Sequence, residues 1–288
     1  MSGTWTILAP IIALVIAPFI GGLLRGIDRK LTARMQGRIG PPIVQPFYDF
    51  VKLASKERIV GTKSQFVWVL GYLLLIVASL CLLVAGNQDL LMIVLVLALG
   101  GACLVLGSMS VKSPYAHFGG IRELLQILAY EPILLLTTIA IFMRVGTFRV
   151  SGIAEYSEPL LPYLPLAFVA VLIALVVKMR KSPFDIAASE HAHQEIVRGV
   201  YTEFSGPSLA VIELTHWYEL TFILSFISLF WVHPLWLGVL IAMLSWFVVL
   251  VVDNITARLT WAYLLRTGLL LGVGLVLLNI VGRLVRLW

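Results

Sequence analysis

Residues 90–111 read LLMIVLVLALGGACLVLGSMSV and include no charged side chain. About 20 mostly apolar residues in an α-helix are enough to cross the hydrocarbon core of a bilayer. A helix satisfies its own backbone hydrogen bonds, which an open segment in lipid is unable to do. This stretch therefore predicts a membrane-spanning helix.

Similar apolar stretches recur along the whole chain, so the sequence predicts an all-α, polytopic membrane protein with eight spanning helices. The candidates are Thr4–Leu24, Phe66–Gly86, Leu90–Val111, Ile127–Thr147, Pro159–Val177, Leu209–Val232, Leu235–Val252 and Leu259–Gly282. A transmembrane barrel would need short alternating segments instead. The first stretch lacks the basic leader and cleavage site of a signal peptide, so we expect it to be retained. Without internal repeats or composition breaks, residues 1–288 are expected to form one domain.

The composition excludes a soluble enzyme. Hydrophobic residues make up 60% of the chain and charged residues 12%, whereas soluble domains average about 25% charged residues. Cys81 and Cys103 lie inside apolar stretches and are too few to hold a zinc ion or an iron–sulfur cluster. The formal net charge of +6 is explained by membrane orientation and does not indicate nucleic-acid binding.

Lysine and arginine residues are distributed unequally between the two sides of the predicted membrane. The loops after the first, third, fifth and seventh spans contain sixteen of them, and the opposite side contains four. Positive residues accumulate in cytoplasmic loops. We therefore expect these four loops to be cytoplasmic and both termini to lie outside.

The first cytoplasmic loop contains the sequence RIGPPIVQPFYDFVKLASKE at residues 38–57. The Gly40-Pro41-Pro42 segment predicts a rigid turn. After Pro46, the apolar residues Phe47, Phe50, Val51 and Ala54 recur at helical spacing, which predicts an amphipathic helix at the membrane interface. On periodicity alone, this helix is equally well explained as a surface anchor.

Acidic residues are the main candidates for chemistry. Glu131 lies in an apolar stretch, where a carboxylate is costly unless it is paired or hydrated. Alternatively, Pro132 starts a helix and Glu131 only caps its positive end. Further acids occur in the loop between the fifth and sixth spans and at the start of the sixth; they are Asp185, Glu190, Glu195, Glu203, Glu213 and Glu219. Helical spacing places Glu213, His216 and Glu219 on one face of the sixth span.

Other site types fit the loop between the fifth and sixth spans less well. His191 and His193 alone do not make a metal site, and no HExxH motif occurs. A Ser-His-Asp hydrolase is disfavoured because no G-x-S-x-G sequence is present.

Four motifs in order resemble the NuoH-type membrane subunit of respiratory complex I and of related energy-converting hydrogenases. They are R-I-G-P-P…Q-P…D-x-x-K-L-x-x-K-E (Arg38 to Glu57), G-x-x-R-x-x-x-Q…Y-E (Gly119 to Glu131), S-P-F-D (Ser182 to Asp185) and E-I-V…T-E-F-S-G-P (Glu195 to Pro207). Only two residues separate Pro42 from Gln45, and a histidine-bearing segment follows Asp185. Both features differ from the pattern of the quinone-reducing members. They resemble the hydrogenase branch, in particular the EchB subunit of Ech-type [NiFe] hydrogenases.

The resemblance implies a coupling subunit of a ferredoxin-linked, energy-converting [NiFe] hydrogenase in the cell membrane of a bacterium or archaeon. The implied partners are the hydrogenase small and large subunits, a ferredoxin-like cluster subunit and an antiporter-like membrane subunit, and the partners would carry the [NiFe] centre and [4Fe–4S] clusters. This chain itself would bind no cofactor and no metal. The alternatives are the quinone-site subunit of a complex I-like NADH or ferredoxin dehydrogenase, and an independent ion transporter.

Site residues follow from the acids and from the resemblance. We expect Glu131, Asp185, Glu195, Glu203 and Glu213 to begin an ion path, with Arg122, Glu190 and Glu219 as further candidates. Alternatively, the glutamates only pair with Arg122, Arg198 or Arg266 to hold helices together. The residues expected to dock the soluble arm are Arg38, Gln45, Asp49 and Lys52.

Overall fold

The computed structural model describes residues 5–57, 59, 62–188 and 197–284, and these residues are almost entirely helical. In chain order the helices are α1 (Trp5–Met35), α2 (Gln45–Ala54), α3 (Lys63–Ala85), α4 (Leu90–Met109), α5 (Pro114–Val145), α6 (Val150–Glu155), α7 (Pro165–Lys178), a 3₁₀ turn (Gly199–Tyr201), α8 (Gly206–Ser228), α9 (Leu235–Ile255), α10 (Trp261–Leu265), a π-helical segment (Arg266–Gly272) and α11 (Val273–Leu284). The segments from α10 to α11 are contiguous.

Seven helical segments within the described residues are long and apolar enough to cross a membrane. Their outward faces carry large apolar side chains, such as Phe19 on α1, Leu74 on α3 and Trp236 on α9. A soluble protein would not leave such continuous apolar faces in water. The protein is therefore an all-α, multi-pass membrane protein, as predicted.

The fifth candidate span differs from the prediction. Residues 159–164 form turns, and α7 occupies only the 14 residues Pro165–Lys178. At 1.5 Å per residue this helix is about 21 Å long, against a hydrocarbon core of about 30 Å. It is packed against α5, α8, α9 and α11, so protein surrounds its short length.

The fourth candidate span begins earlier than predicted. Helix α5 starts at Pro114, so the Gly119–Glu131 motif is helical and not a loop. Pro132 lies inside this helix, and the alternative in which Glu131 caps a helix start is therefore wrong. Gly119 permits a close approach, because a Cβ there would clash with the backbone of Gly199 and Val200 in the 3₁₀ turn.

The predicted helix of the first loop is present as α2, and a turn closed by the bond from the Gln45 N–H to the Pro42 carbonyl (3.0 Å) precedes it. Gly40 has a φ of 74°, a conformation that glycine adopts without steric cost, and α2 begins after the two prolines. Its Phe47 and Phe50 rings lie 5.2 Å and 5.7 Å from the Trp217 ring of α8. Val51, expected on the apolar face, is 63% exposed instead.

Helix α8 lies at the centre of the bundle. It contacts α1, α2, α3 and α9, and its Phe222, Ile223 and Phe226 are fully buried. Polar side chains on this helix therefore face protein and not lipid.

The positive-residue distribution predicts that α7 crosses the membrane despite its length. In a cysteine-free background, we expect Lys56→Cys, Lys112→Cys and Ala257→Cys to react with a membrane-impermeant maleimide only from the cytoplasmic side. Glu155→Cys should react only from outside, because a single crossing separates it from the neighbouring loops. Labelling of Glu155→Cys and Ala257→Cys from the same side would contradict a crossing by α7, because α7, α8 and α9 separate these two positions.

Candidate functional site

The candidate site is built on the C-terminal end of α7. The N–H of Arg180 donates to the Val177 carbonyl (3.0 Å) and that of Lys181 to the Val176 carbonyl (3.2 Å). This pair of bonds is a Schellman motif, which usually has glycine at the left-handed position. Here the position is Arg180, with a φ of 52°. A side chain in this conformation costs about 1 kcal/mol, so other contacts must hold Arg180 in place.

Carboxylates from four other helices hold the three cations at this end. The ion pairs join Lys178 to Glu219 (2.6 Å), Arg180 to Glu123 (2.5 Å) and Glu219 (3.5 Å), and Lys181 to Asp28 (2.9 Å) and Asp253 (3.0 Å). The side chains of Lys178 and Glu219 are each only 4% exposed. Charges buried in this way require partners, because an unpaired charge in the interior is strongly destabilising.

A cavity of about 140 Å³ opens beside these pairs, and we call it the charged chamber. Five cations and five carboxylates line it, together with His216 and Tyr201: Arg25, Arg29, Lys178, Arg180, Lys181, Asp28, Asp185, Glu213, Glu219 and Asp253. The volume is sufficient for several water molecules. The chamber therefore combines space for water with closely spaced titratable groups.

Tyrosine hydroxyls extend the ion pairs into a hydrogen-bond network. Tyr72 donates to Glu219 Oε2 (3.0 Å), and Lys178 Nζ donates to the hydroxyl of Tyr130 (2.9 Å). The Tyr201 hydroxyl lies 3.0 Å from His216 Nε2. The hydroxyls of Tyr72 and Tyr130 therefore help to hold the buried Lys178–Glu219 pair in place.

Glu213 is held less tightly than Glu219. Its carboxylate lies 3.9 Å from Arg25. It also lines a second cavity of about 260 Å³ beside α2, together with Arg25, Asp49 and Trp217. Glu213 therefore lines both the charged chamber and the cavity beside α2.

The structure brings three of the predicted path residues, Asp185, Glu213 and Glu219, to one cavity. Glu131 is buried in α5, and neither of its carboxylate oxygens has a hydrogen-bond partner within the described part of the chain. Glu203 is half-buried in the segment before α8 and does not line the charged chamber. Arg122 is half-buried and donates to the carbonyl of Ile186 (3.4 Å).

Two predicted path residues, Glu190 and Glu195, lie outside the described residues, as do His191 and His193. Their predicted roles stay predictions. Among the described residues, Glu213 meets Arg25 and Glu219 meets Lys178. The pairing of glutamates with Arg122, Arg198 or Arg266 stays a prediction.

The predicted docking residues surround α2. Asp49 accepts hydrogen bonds from Gln45 (2.9 Å) and Arg29 (2.8 Å). Although partial burial alone would raise the pKa of Asp49, these bonds outweigh it and lower the pKa. Lys52 and Arg38 are exposed, and Arg38 donates to Gln36. The predicted docking surface therefore consists of a carboxylate fixed to α1 and of exposed cations.

Several chamber residues carry no distinguishing sequence signal. Lys178, Arg180 and Lys181 belong to the sixteen positive residues of the loops expected to be cytoplasmic, and that distribution indicates only membrane orientation. Asp28 and Asp253 lie near the ends of apolar helices, where a solvated position is the ordinary expectation. The Lys178–Lys181 segment itself is the signal that could indicate the chamber. Three cations at the end of a short apolar helix need carboxylate partners if protein covers them.

Comparison with known proteins identifies the family. The sequence profile of the NADH dehydrogenase family matches residues 7–283, so the chain belongs to this family, in its NuoH type. It is 32% identical to "Hydrogenase-4 component C" of Escherichia coli (strain K12) over 217 residues, which cover 70% of this chain and 66% of that relative. It is 28% identical to "Formate hydrogenlyase subunit 4" of the same organism, covering 72% of each chain.

Other relatives come from quinone-linked and sulfur-linked complexes. An NADH-quinone oxidoreductase subunit of Aquifex aeolicus (strain VF5) is 29% identical over 78% of this chain and 75% of its own length. A chain of the archaeal membrane-bound sulfane sulfur reductase superposes with a TM-score of 0.87 at 25% identity, covering 96% of this chain and 98% of that one. This protein is thus a membrane subunit of the complex I-like or hydrogenase type.

The pair of Lys178 and Glu219 generates a stability prediction. We expect Lys178→Met or Glu219→Gln alone to lower the free energy of unfolding by about 3–5 kcal/mol, because each removes the nearest counter-charge of a buried group. The double variant should recover part of this loss. Unfolding of the purified protein in mixed micelles, arranged as a double-mutant cycle, measures the coupling. Additive losses would show that the two charges do not stabilise each other.

Proposed function

We propose that this NuoH-type chain is the membrane coupling subunit of a ferredoxin-linked, energy-converting [NiFe] hydrogenase. In this role it docks the hydrophilic redox arm and links electron transfer to the translocation of H⁺ or Na⁺. The [NiFe] centre and the [4Fe–4S] clusters belong to partner subunits in this proposal, and this chain binds none. The observation that carries the proposal is the charged chamber at the end of α7.

The depth of the chamber favours ion translocation. Glu219 lies 13 residues after Gly206, where α8 begins, and nine residues before Ser228, where it ends. At 1.5 Å per residue these separations are about 20 Å and 14 Å. The Lys178–Glu219 pair is therefore near the middle of a spanning helix. Ionisable groups at that depth are costly and are characteristic of ion and proton paths.

Glu213 is the carboxylate best placed to change its charge during turnover. Its contact with Arg25, at 3.9 Å, is long for an ion pair, and the adjoining cavity offers water. A carboxylate binds a proton more readily when its counter-ion moves away. In this proposal, a redox-linked movement of the loop that follows α7 alters the charges around Glu213. The proton bound by Glu213 then passes by way of Asp185 and Glu219 towards Glu131. Glu203 and the loop acids Glu190 and Glu195 supply the entrance.

Docking is assigned to α2 and the turn before it. The exposed cations Arg38 and Lys52 offer charge complementarity to an acidic partner surface, which gives register and orientation. Asp49 is fixed by Arg29 and Gln45, so a partner that contacts α2 meets a preformed surface. In this proposal the partner is the cluster-bearing small subunit of the hydrogenase.

Two observations support the hydrogenase role over quinone reduction. The segment between Pro42 and Gln45 is short, and the charged chamber is lined by ten ionisable side chains, which do not suit an apolar quinone ring. The quinone-site subunit of a complex I-like dehydrogenase remains the second candidate, supported by the 29% identity to the Aquifex aeolicus protein. An independent ion transporter is the third. We place the protein in the cell membrane with its main loops cytoplasmic.

Gentle purification of the tagged chain from its native membrane distinguishes these roles. We expect nickel and iron–sulfur subunits to co-purify in fixed ratio with the chain, together with an antiporter-like subunit. Metal analysis and mass spectrometry of the purified complex measure this. Bound quinone with no nickel would support the second candidate, and an isolated chain would support the third; either result contradicts the hydrogenase proposal.

Conservative substitution tests the ion path. Glu213→Gln and Glu203→Gln keep the side-chain shape and remove the titrating group. We expect each variant complex to assemble and to lose ferredoxin-driven ion pumping into vesicles, together with the hydrogen evolution coupled to it. Glu155→Gln, an exposed acid of α6, is the matched control and should pump normally. Normal pumping by both test variants would eliminate this path, whereas failed assembly would favour a structural role.

A further inference from the structure

A groove between the ends of α5 and α11 lies far from the charged chamber along both helices. Ala140, Met143 and Arg144 line it on α5, and Asn279, Ile280 and Arg283 line it on α11. Its volume is about 280 Å³. Because α5 and α11 end together here, the groove lies at the level where the hydrocarbon core meets the lipid headgroups.

Two guanidinium groups are fixed at the mouth of this groove. Arg144 lies 3.8 Å and Arg283 4.6 Å from the centre of the Tyr163 ring. Arg283 also donates from Nε and Nη2 to the carbonyl of Tyr163 (3.0 Å and 2.8 Å), and Asn279 donates to the same oxygen (3.2 Å). The two cations are therefore preorganised and lose little side-chain freedom when a ligand binds.

The charge at the mouth is not balanced by the surrounding residues that the structure describes. Arg144 pairs with Glu158 through Nη2 (2.5 Å), whereas the contacts of Arg283 are to neutral groups. The Nε atom of Arg144 is buried and has no hydrogen-bond partner within the described residues. Arginine presents a planar set of donors that fits phosphate oxygens. The mouth of the groove is thus suited to a phosphate ester.

Below the two arginines the groove is apolar. Ala140, Met143, Leu164 and Ile280 form its walls, and the adjoining surface of α11 exposes Leu277 and Val281. A free phosphate ion would gain nothing from such walls, whereas an acyl chain would bury apolar surface against them. We propose that this groove binds an anionic phospholipid, with its phosphate between Arg144 and Arg283 and one acyl chain along α11.

Lipid addition to the purified, delipidated complex tests this inference. We expect phosphatidylglycerol to raise the melting temperature, and phosphatidylcholine with the same acyl chains to have a smaller effect. Arg144→Gln should raise about fivefold the phosphatidylglycerol concentration that gives half of the maximal rise in melting temperature. This factor is the one expected when one cation near a lipid headgroup is lost. Arg149→Gln removes a positive charge from an exposed residue outside the groove and should leave this concentration unchanged.

A second variant covers the case in which Arg144→Gln fails to assemble. Met143 is exposed beside Arg144, so Met143→Glu keeps both guanidinium groups and adds a negative charge at the mouth. We expect the same loss of phosphatidylglycerol response. An unchanged response in Met143→Glu, or a full response to inorganic phosphate alone, would overturn the inference.

The occupant is identified by photo-cross-linking. A photo-reactive residue at position 143 in the native membrane should form an adduct with a phospholipid, detected by mass spectrometry. An adduct with another subunit would instead show that a partner's side chain fills the groove, and it would refute the lipid site. Neither result depends on the ion path or on the hydrogenase proposal.

Discussion

The early end of α7 is the constraint on which the polar interior of this protein depends. The helix is about 21 Å long and terminates inside the bundle, so its three terminal cations lie among helices and not in water. Moving such charges from water into an apolar interior costs several kcal/mol each unless they are paired. The carboxylates Asp28, Glu123, Glu219 and Asp253 supply that pairing from α1, α5, α8 and α9.

The same pairing explains why Arg180 is tolerated in a left-handed conformation. Glycine would remove the backbone cost of about 1 kcal/mol at this position, but it would leave Glu123 without its partner at 2.5 Å. The loss of a buried partner costs more than the strain. The local backbone therefore follows from the charge arrangement around it, and the cavity left beyond the end of α7 becomes the charged chamber.

The sequence predicts the scaffold well and the chamber poorly. Spanning helices follow from apolar length, and the shared placement of Glu213, His216 and Glu219 follows from helical spacing on α8. The start of α5 could not be found by counting apolar residues, because Arg122, Glu123 and Gln126 are polar and yet belong to the helix that packs on the chamber. Likewise, counting positive residues to assign the topology places Lys178 in a loop. The depth of Lys178 in the membrane depends on where α7 ends, and apolar length alone does not give that end.

Helix α2 and the residues of the charged chamber are in direct contact. The rings of Phe47 and Phe50 pack on Trp217, which is next to His216 on α8, and Asp49 holds Arg29, which lines the chamber. In the proposed role, a partner docked on α2 therefore acts within one or two side chains of Glu213. Each elementary charge moved against the membrane potential costs about 2.3 kcal/mol per 100 mV. Breaking one buried ion pair changes the free energy by about 3–5 kcal/mol, so rearranging a single pair in the chamber is sufficient in magnitude to couple a shift of α2 to the movement of one ion.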